Sequence, residues 1–417
     1  KFNISHCACA CACAVGMTDI GIDIEKKFAY RNSLAKRICA DAEWAVLRDM
    51  DEEERTRQLQ YLWSLKESFV KWNGRGIAYG MDRVSFAEAL PAALAYTKDQ
   101  KIRRTILVKD IPKLLLYDGG AYTLCACAEV FDFTVNLIDI ILLDGATGSN
   151  LRTAGMPVGV CTELWVLEHP DVMKELQRAY VDAGSQIIYA PTFSGNRISL
   201  SRYGSEDKLS FLNTKLVALS KDASGGRAYV AGDMTTTGRL LEPRGDISYQ
   251  ELYEVYQEQA KALIDAGADL IVAETMMNVD ETVVLLDAVQ SVDESPVMCT
   301  LTVESGGSAL YGGTAVEAIE TLQEMGADAV GINCSVGPDQ LEAVVSSMYR
   351  AARIPVIAKP NAGIPVMDEY GQAHYNMKPE QFAVSMKRLV EKGARIIGGC
   401  CGTTPEYIRL LAHTLRR

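Results

Sequence analysis

The sequence predicts an α/β protein in which a closed (β/α)8 TIM barrel forms the C-terminal part and a smaller α+β domain precedes it. From residue 140 onward, eight short apolar runs alternate with amphipathic segments of helical period, and Gly-Ala pairs close several of these segments. Near-continuous apolar strands between amphipathic helices form a parallel sheet, and eight such units over roughly 275 residues are typical of a closed barrel. A doubly wound open sheet is the alternative architecture.

The elements of the barrel follow from this alternation. The predicted strands are residues 140–145, 186–191, 228–234, 270–275, 296–303, 329–333, 355–360 and 395–400. Amphipathic periodicity predicts helices between them, such as residues 249–266 and 340–352.

A change of pattern near residue 135 divides the chain into a first domain of residues 1–130, a connector of residues 131–139 and the barrel of residues 140–417. The segments predicted in the first domain are an extended start at 1–15, a strand at 20–25, helical stretches across 33–74 and β-like segments at 105–109 and 121–130. The connector is short and apolar, so it is a packed connector or the scar of a fusion rather than a flexible Gly/Ser linker.

Composition excludes several functional classes. With 48% hydrophobic and 23% charged residues, the chain has the composition of a soluble globular protein. No apolar run reaches the roughly 18 residues that cross a bilayer, and no leader precedes a cleavage site, so we expect a cytoplasmic protein without a membrane partner. The net charge of -12 argues against a nucleic-acid partner. The chain begins at Lys1 rather than Met, which leaves open that it is a fragment.

The twelve cysteines of the chain are expected to be reduced thiols. Four of them alternate with alanine in residues 7–13. If residues 1–15 form one strand, these four sulfurs lie in a row whose ends are roughly 20 Å apart, too far for one tetrahedral metal site. We therefore interpret this segment as a buried strand.

Three other cysteines are the strongest chemical signal. Cys334 follows one predicted barrel strand, and the adjacent Cys400 and Cys401 follow another, framed by glycines. Strand ends of a barrel meet at the face that carries active sites, so we expect the three thiolates to converge. Three protein ligands leave one tetrahedral position open, which predicts a catalytic Zn²⁺ that accepts a thiol substrate. The alternative is a buried apolar role for Cys334 and a chance cysteine pair.

The barrel also resembles the homocysteine S-methyltransferases, a family that includes the N-terminal module of cobalamin-dependent methionine synthase. The motifs that carry the resemblance lie at residues 142–149, 190–197, 274–278, 331–335, 359–363 and 398–404, in family order. The resemblance implies methyl transfer to homocysteine to give methionine, with Zn²⁺ held by Cys334, Cys400 and Cys401. It also implies that Asp144 and Glu274 bind the ammonium group of the substrate, as carboxylates at strand ends can do.

The methyl donor stays open at this point. The alternatives are a donor carried by another protein, such as a methyl-corrinoid protein that supplies cobalamin or folate chemistry in trans, and a small molecule such as S-methylmethionine. A truncated chain is the third alternative. We expect methyltetrahydrofolate alone to fail as donor.

The first domain carries a second candidate site. Asp23 and Glu25 share one face of a predicted strand, and Glu67 and Lys71 share one face of a predicted helix. Three converging carboxylates would hold Mg²⁺, with Lys71 facing the phosphates of a substrate. The alternative is a solvated acidic pair beside an ordinary helical ion pair.

This domain resembles the 4'-phosphopantetheinyl transferases. The resemblance rests on residues 2–6, 21–25 and 63–71. It implies that Asp23, Glu25 and Glu67 hold Mg²⁺ and that Lys71 binds the pyrophosphate of coenzyme A. Ser5 and His6 would contact the 3'-phosphate of the nucleotide, and the acceptor would be the serine of an acyl or peptidyl carrier protein.

The resemblance covers only the second of the two halves of larger family members. The alternatives are therefore a partial transferase module, a catalytically silent packing or dimerisation module, and an artefactual fusion.

Overall fold

A computed structural model describes residues 2–7, 10–15, 20–26, 28–30, 32–74, 81–87, 102–106, 113–118, 122–128, 140–367 and 373–415. Some strands of the first unit are described by their backbone and only part of their side chains. The chain divides into two units, Lys1–Asp139 and Ile140–Arg417, and each is described by itself. Across the described ranges, the helices are too short or too polar to span a membrane.

The N-terminal unit is α+β, as predicted. Its strands are β1 (Phe2–Cys7), β2 (Ala10–Val15), β3 (Ile20–Lys26), β4 (Ile102–Ile106), β5 (Lys113–Asp118) and β6 (Tyr122–Ala128). Its helices are α1 (Asn32–Ile38), α2 (Asp41–Arg48) and α3 (Glu52–Trp72), followed by a 3₁₀ turn at Met81–Arg83. β1 and β2 form an antiparallel hairpin, and the other four strands form an antiparallel sheet in the order β3-β6-β5-β4.

Helix α3 organises this unit. Its N-cap is Asp51, whose side chain accepts a hydrogen bond from the backbone N–H of Glu54. The first turn of the helix is acidic and its last turn holds Lys71. Its apolar face is buried in one core with strands β5 and β6. Its contact with β3 is close because residue 21 is glycine: a Cβ there would lie 1.9 Å from the backbone oxygen of Ser68.

One prediction for this unit is wrong in detail, and one of its strands was not predicted. The predicted single extended segment 1–15 contains two strands, Phe2–Cys7 and Ala10–Val15, which pair antiparallel with Cys7 opposite Ala10. Cys7 and Cys13 therefore lie on two different strands and not at the two ends of one extended row. The sequence analysis also missed β5, whose apolar run of three leucines lies between Lys113 and Tyr117. The connector of residues 131–139 lies outside the described residues.

The second unit is the predicted (β/α)8 barrel. Its barrel strands are β7 (Ile141–Leu142), β8 (Ile187–Tyr189), β9 (Tyr229–Met234), β10 (Leu270–Met276), β11 (Val297–Leu301), β12 (Ala329–Cys334), β13 (Val356–Pro360) and β16 (Ala394–Ile397). All pairs are parallel, in the order β7-β16-β13-β12-β11-β10-β9-β8. A parallel bridge from Leu143 to Ile187 joins the first strand to the second and closes the barrel.

Helices surround the barrel strands. They are α4 (Gly148–Thr153), α5 (Thr162–Glu168), α6 (Pro170–Ala183), α7 (Arg197–Ser201), α8 (Leu209–Ser224), α9 (Tyr249–Asp265), α10 (Val279–Gln290), α11 (Ala315–Glu324), α12 (Glu342–Ala351), α13 (Pro379–Glu391) and α14 (Pro405–Leu415). Short 3₁₀ turns lie at Glu206–Lys208 and Pro338–Gln340. Beyond β13 the chain forms a small antiparallel hairpin of β14 (Pro365–Met367) and β15 (Ala373–Tyr375).

Strand side chains alternate between two apolar cores. One core lies between strands and helices and includes Ile271 and Ala273 of β10. The other is made almost entirely of strand residues, including Leu270 and Val272 of β10, and fills the barrel interior. Because alternate residues share a face, the next inward position of β10 is Glu274. The inward-facing residues are thus apolar within the barrel and polar at the carboxyl ends of the strands.

Candidate functional site

A polar layer covers the apolar barrel interior at the carboxyl ends of the strands. Asp233 follows the interior residue Ala231 by two positions, and Lys359 follows Ile357 in the same way. Together with Glu274 they line a cavity of about 260 Å³. The other chemically active side chains in its lining are Asp144, Glu163, Cys334, Cys400 and Cys401. The cavity therefore combines thiols with buried charged groups.

The three cysteines that the sequence singled out meet at this cavity. Their sulfur atoms all lie within 4.8 Å of one another. The Sγ–Sγ distance is 3.9 Å from Cys334 to Cys401 and 4.0 Å from Cys400 to Cys401. Tetrahedral Zn²⁺ with Zn–S bonds of about 2.3 Å places its sulfur ligands about 3.8 Å apart. The spacing and the chemistry of the three donors fit such an ion.

The backbone that carries the cysteines is strained and held in place. Thr275, Cys334 and Ser335 have positive φ angles of 57°, 62° and 43°. This conformation is unusual for residues other than glycine and is found where the surroundings enforce it. Here Asn333 enforces it: its Oδ1 accepts a hydrogen bond from the Thr275 N–H at 2.9 Å, and its Nδ2 donates to Thr275 Oγ1 at 2.7 Å. The ends of β10 and β12 are thus locked together.

The loop after β16 is equally constrained. Cys400 donates its backbone N–H to Pro360 O at 2.7 Å, and Gly399 donates to Asp144 O at 3.0 Å. A Cβ at Gly402 would lie 2.3 Å from the ring of Tyr375, so glycine is required for this packing. The close packing places β15 against the cysteine loop.

The three thiols share their protons unequally. Hydrogen bonds from Cys334 and then from Cys400 lower the pKa of the Cys401 thiol, and a hydrogen bond from Tyr375 adds to this effect. The pKa of Cys334 is raised in turn, because its proton is held between the other two sulfurs. The surroundings of Cys401 thus favour its thiolate, and the thiolate is the form that binds metal.

The acidic residues at strands β7 and β10 also meet, and a lysine lies between them. Lys359 Nζ lies 2.9 Å from Glu274 Oε1 and 3.7 Å from Asp144 Oδ1. It also lies 4.7 Å from the ring centroid of Tyr189. Asp144 Oδ2 accepts the backbone N–H of Tyr189 at 2.8 Å. Asp144 and Glu274, the two side chains predicted from sequence to bind the substrate, are thus already part of an internal ion-pair network.

Burial dominates the protonation of these acids. Desolvation raises the pKa of Asp144 to about 7, and the positive charge of Lys359 opposes the rise. Desolvation also raises the pKa of Glu274 and that of Asp233, and the negative charge of Glu274 raises the latter further. Three acids that repel one another surround one lysine, so the layer is short of positive charge.

Sequence reasoning missed Lys359 and Asp233 as members of the site. The available signal was the same for both: each is a charged residue within a run that is otherwise apolar and predicted to be a buried strand. Such residues are seldom buried unless they are paired or functional.

The N-terminal unit holds a separate acidic cluster on β3 and α3. Lys71 Nζ lies 2.9 Å from Asp23 Oδ1 and 3.9 Å from Glu67 Oε2. Ser5 is buried and donates its hydroxyl to the same Asp23 oxygen at 3.2 Å. Asp23 Oδ2 is buried and has no hydrogen-bond partner in the part of the chain that the structure describes. The structure thus brings four of the predicted residues together.

The remaining predicted residues of this cluster are less closely placed. Desolvation, followed by the charge of Asp23, raises the pKa of Glu25 and that of Glu67, so Glu25 lies within electrostatic reach. The oxygens of the three acids do not all lie within 4.8 Å of one another; among the described residues only the barrel cysteines meet that distance. The side chain of His6 lies outside the described residues.

Comparison with known proteins identifies the barrel. Residues 141–415 match the family model of homocysteine S-methyltransferase, and the chain belongs to this family. Residues 19–124 match the model of the 4'-phosphopantetheinyl transferase superfamily. Both resemblances predicted from sequence are confirmed.

The relatives and solved structures agree with the barrel assignment. The chain is 31% identical to methionine synthase of Mycobacterium tuberculosis over 303 residues, which are 67% of this chain and 25% of that protein. It is 30% identical to methionine synthase of Mycobacterium leprae over 296 residues, covering 67% of this chain and 24% of the relative. The chain thus spans about a quarter of the length of these relatives.

A crystal structure of the homocysteine methyltransferase MmuM from Escherichia coli in its metallated form shares the fold. Its TM-score is 0.55 at 24% identity, covering 66% of this chain and 96% of that chain.

Proposed function

We propose that the barrel transfers a methyl group to the thiol of homocysteine, giving methionine, and that Cys334, Cys400 and Cys401 hold Zn²⁺ for this reaction. The observation that carries the proposal is the convergence of three thiols on a cavity that is also lined by buried carboxylates. A thiol and an ammonium group are two of the three functional groups of homocysteine. The family to which the chain belongs supports the same reaction.

The cysteines and the acids have separate tasks in this proposal. Zn²⁺, when bound, lowers the pKa of a coordinated thiol so that it is a thiolate at neutral pH. Asp144 and Glu274 bind the ammonium group of the substrate, and Lys359 keeps both carboxylates oriented. The substrate sulfur is thereby fixed in one position, which favours in-line attack. Its lone pair forms the new S–C bond, and the electron pair of the broken bond leaves with the donor.

We propose that the methyl donor is a small molecule such as S-methylmethionine or a methyl-corrinoid protein acting in trans. The experiment is a donor screen on purified protein that measures the methionine formed from homocysteine. Formation of methionine with either donor supports the proposal. Absence of methionine with every donor, in protein that contains one zinc per chain, contradicts it.

The zinc assignment has its own test. Cys400→Ala removes one of three thiolate ligands, and we expect the variant to lose both bound zinc and methyl transfer. Cys299→Ala is the matched control, because Cys299 is a fully buried barrel cysteine of β11 that does not line the cavity. Zinc is measured per chain by elemental analysis. Zinc retained by Cys400→Ala with Cys401→Ala would show that another site binds the metal.

A second activity is proposed for the N-terminal unit, on the strength of the buried, unpartnered Asp23 Oδ2 beside Glu67 and Lys71. In this proposal Asp23, Glu25 and Glu67 hold Mg²⁺ and Lys71 binds the pyrophosphate of coenzyme A. Ser5 and His6 contact its 3'-phosphate, and a carrier protein accepts the phosphopantetheine. The proposed compartment for both activities is the cytoplasm. The competing proposal is a silent packing or dimerisation module.

Magnesium-dependent binding of coenzyme A distinguishes these two proposals. We expect binding to be weak in this chain and to be lost in Glu67→Gln, because that substitution removes a metal ligand. Glu53→Gln is the control, since Glu53 lies on the same helix with an exposed side chain. Binding is measured by calorimetry with and without Mg²⁺. Equal behaviour of the two variants would favour the silent module.

A further inference from the structure

Asp233 is a buried acid of the barrel cavity to which the proposed function assigns no task. It lies on β9, is 5% exposed, and lines the cavity together with the cysteines. Its Oδ1 has no hydrogen-bond partner anywhere in the described part of the chain. A buried carboxylate oxygen without a partner is costly, so such a group points to a ligand that completes it.

The internal lysine does not supply the missing partner. Lys359 is committed to Glu274 at 2.9 Å and to Asp144 at 3.7 Å, and no ion pair within 4 Å joins it to Asp233 among the described residues. Asp144 Oδ2 accepts the Tyr189 N–H, whereas Asp144 Oδ1 has no hydrogen bond within the ranges that the structure describes and only the longer ion-pair contact of 3.7 Å with Lys359. Two carboxylate oxygens without a hydrogen bond from the described residues, Asp144 Oδ1 and Asp233 Oδ1, therefore belong to residues that line the same cavity. Three buried acids of this layer share one buried lysine.

These separated acceptors suit an ammonium group better than a metal ion. A metal ion needs ligand atoms that lie close together. Among the described residues, only the three cysteines have ligand atoms that all lie within 4.8 Å of one another, and the carboxylates of this layer do not. An ammonium group has three N–H donors and can serve separated acceptors. The Zn²⁺ proposed at the cysteine cluster of the same cavity would select a ligand that also carries a thiol.

We propose that Asp233 accepts a hydrogen bond from the ammonium group of the bound amino-acid thiol and thereby makes the cavity selective for thiols with an α-ammonium group. Asp144 Oδ1 is the second acceptor. This inference rests on the proposed function, because it needs a thiol ligand at the cysteine cluster. It assigns substrate selectivity to a residue of β9, in addition to the acids at β7 and β10.

The test compares two ligands that differ only in the ammonium group: L-homocysteine and 4-mercaptobutanoate. Binding to zinc-loaded protein is measured by calorimetry. We expect Asp233→Asn to raise the Kd of homocysteine about 10- to 100-fold, because it removes the negative charge that faces the ammonium group and replaces one acceptor oxygen by an N–H donor. The Kd of 4-mercaptobutanoate should change less than about threefold, since it has no ammonium group to lose. Zinc content should equal that of the wild type.

Glu163→Gln is the matched control in the same cavity. Glu163 is also buried, but its oxygens already bond the Ser194 N–H at 2.8 Å and the Cys161 thiol at 3.3 Å. The ratio of the two Kd values should therefore stay that of the wild type. If Asp233→Asn does not fold, Asp233→Ser, which leaves space for water, takes its place in the same comparison.

The outcomes separate the two proposals. An equal change in both Kd values, or no change in either, overturns the role of Asp233 and leaves methyl transfer intact. Failure of both thiols to bind the zinc-loaded wild type overturns the proposed function and the role of Asp233 together. A selective loss of homocysteine binding supports both.

Discussion

Replacement of Lys359 by methionine tests the charge balance of the barrel cavity. Lys359 is 3% exposed and is the neighbouring positive charge for Glu274 and Asp144. Methionine keeps the length and apolar stem of the side chain but leaves buried carboxylates without their counter-charge. Breaking a buried ion pair in this way costs about 3–5 kcal/mol at a pH where the acids are ionised.

The loss of stability in Lys359→Met should depend on pH, and the pKa shifts of the buried acids determine whether it grows or shrinks as pH rises. Burial already raises the pKa of Asp144 to about 7 with Lys359 present, and removal of the lysine raises it further. A raised pKa in the folded state means that folding takes up a proton, so stability is retained at low pH and falls as pH rises through the folded pKa. Each extra proton bound by the folded state adds a slope of about 1.4 kcal/mol per pH unit. The variant should therefore be nearest to wild type near pH 5 and furthest from it above pH 8.

Urea unfolding between pH 5 and 8.5 measures the difference in free energy of unfolding between the variant and the wild type. Unfolding is monitored by hydrogen exchange of peptides from β10 and β13, so that the barrel is observed separately. Lys221→Met is the control, because Lys221 pairs with Asp269 at a partly exposed site. We expect it to lose only about 0–1 kcal/mol, with no added pH slope. A Lys359→Met variant that is as stable as wild type at pH 8 would refute the charge-balance argument.

Two further predictions follow from the site and from the N-terminal unit. Methionine, which lacks a titrating thiol, should bind the barrel more tightly as pH rises from 6 to 8, because a bound ammonium group favours the ionised carboxylate of Asp144. The gain in affinity should reach up to about tenfold per pH unit below the pKa of Asp144. Asp144→Asn should flatten this pH dependence, and a Kd of methionine that is constant with pH would contradict the prediction. Gly21→Ala should destabilise the N-terminal unit by about 1–3 kcal/mol or more, because the new Cβ would lie 1.9 Å from Ser68 O. Gly306→Ala should be near neutral, because nothing in the described residues lies within 4 Å of a Cβ at that position. Equal melting temperatures of the two variants would count against the close packing of α3 on β3.

Much of the fold was predictable because local pattern and global fold agree in the barrel. Apolar runs bounded by amphipathic helices occur eight times, and each gives one strand of the closed sheet. The N-terminal unit was less predictable. Phe2–Cys7 and Ala10–Val15 pair as two antiparallel strands, and the alternating Cys-Ala sequence contains none of the usual turn residues that would have predicted two strands.

For the site, the sequence by itself determined which residues could do chemistry. Cys334, Cys400 and Cys401 stand at predicted strand ends, and parallel strands in a barrel bring their ends to one face. Only the tertiary structure decided the charge balance around them. Asp233 and Glu274 lie on the neighbouring strands β9 and β10, but Lys359 lies on β13, which is a neighbour of neither. The meeting of Lys359 with the two acids therefore depends on closure of the barrel. Contacts across a closed sheet depend on strand order and register, which no local pattern contains, so the protonation of the cavity is a property of the folded barrel.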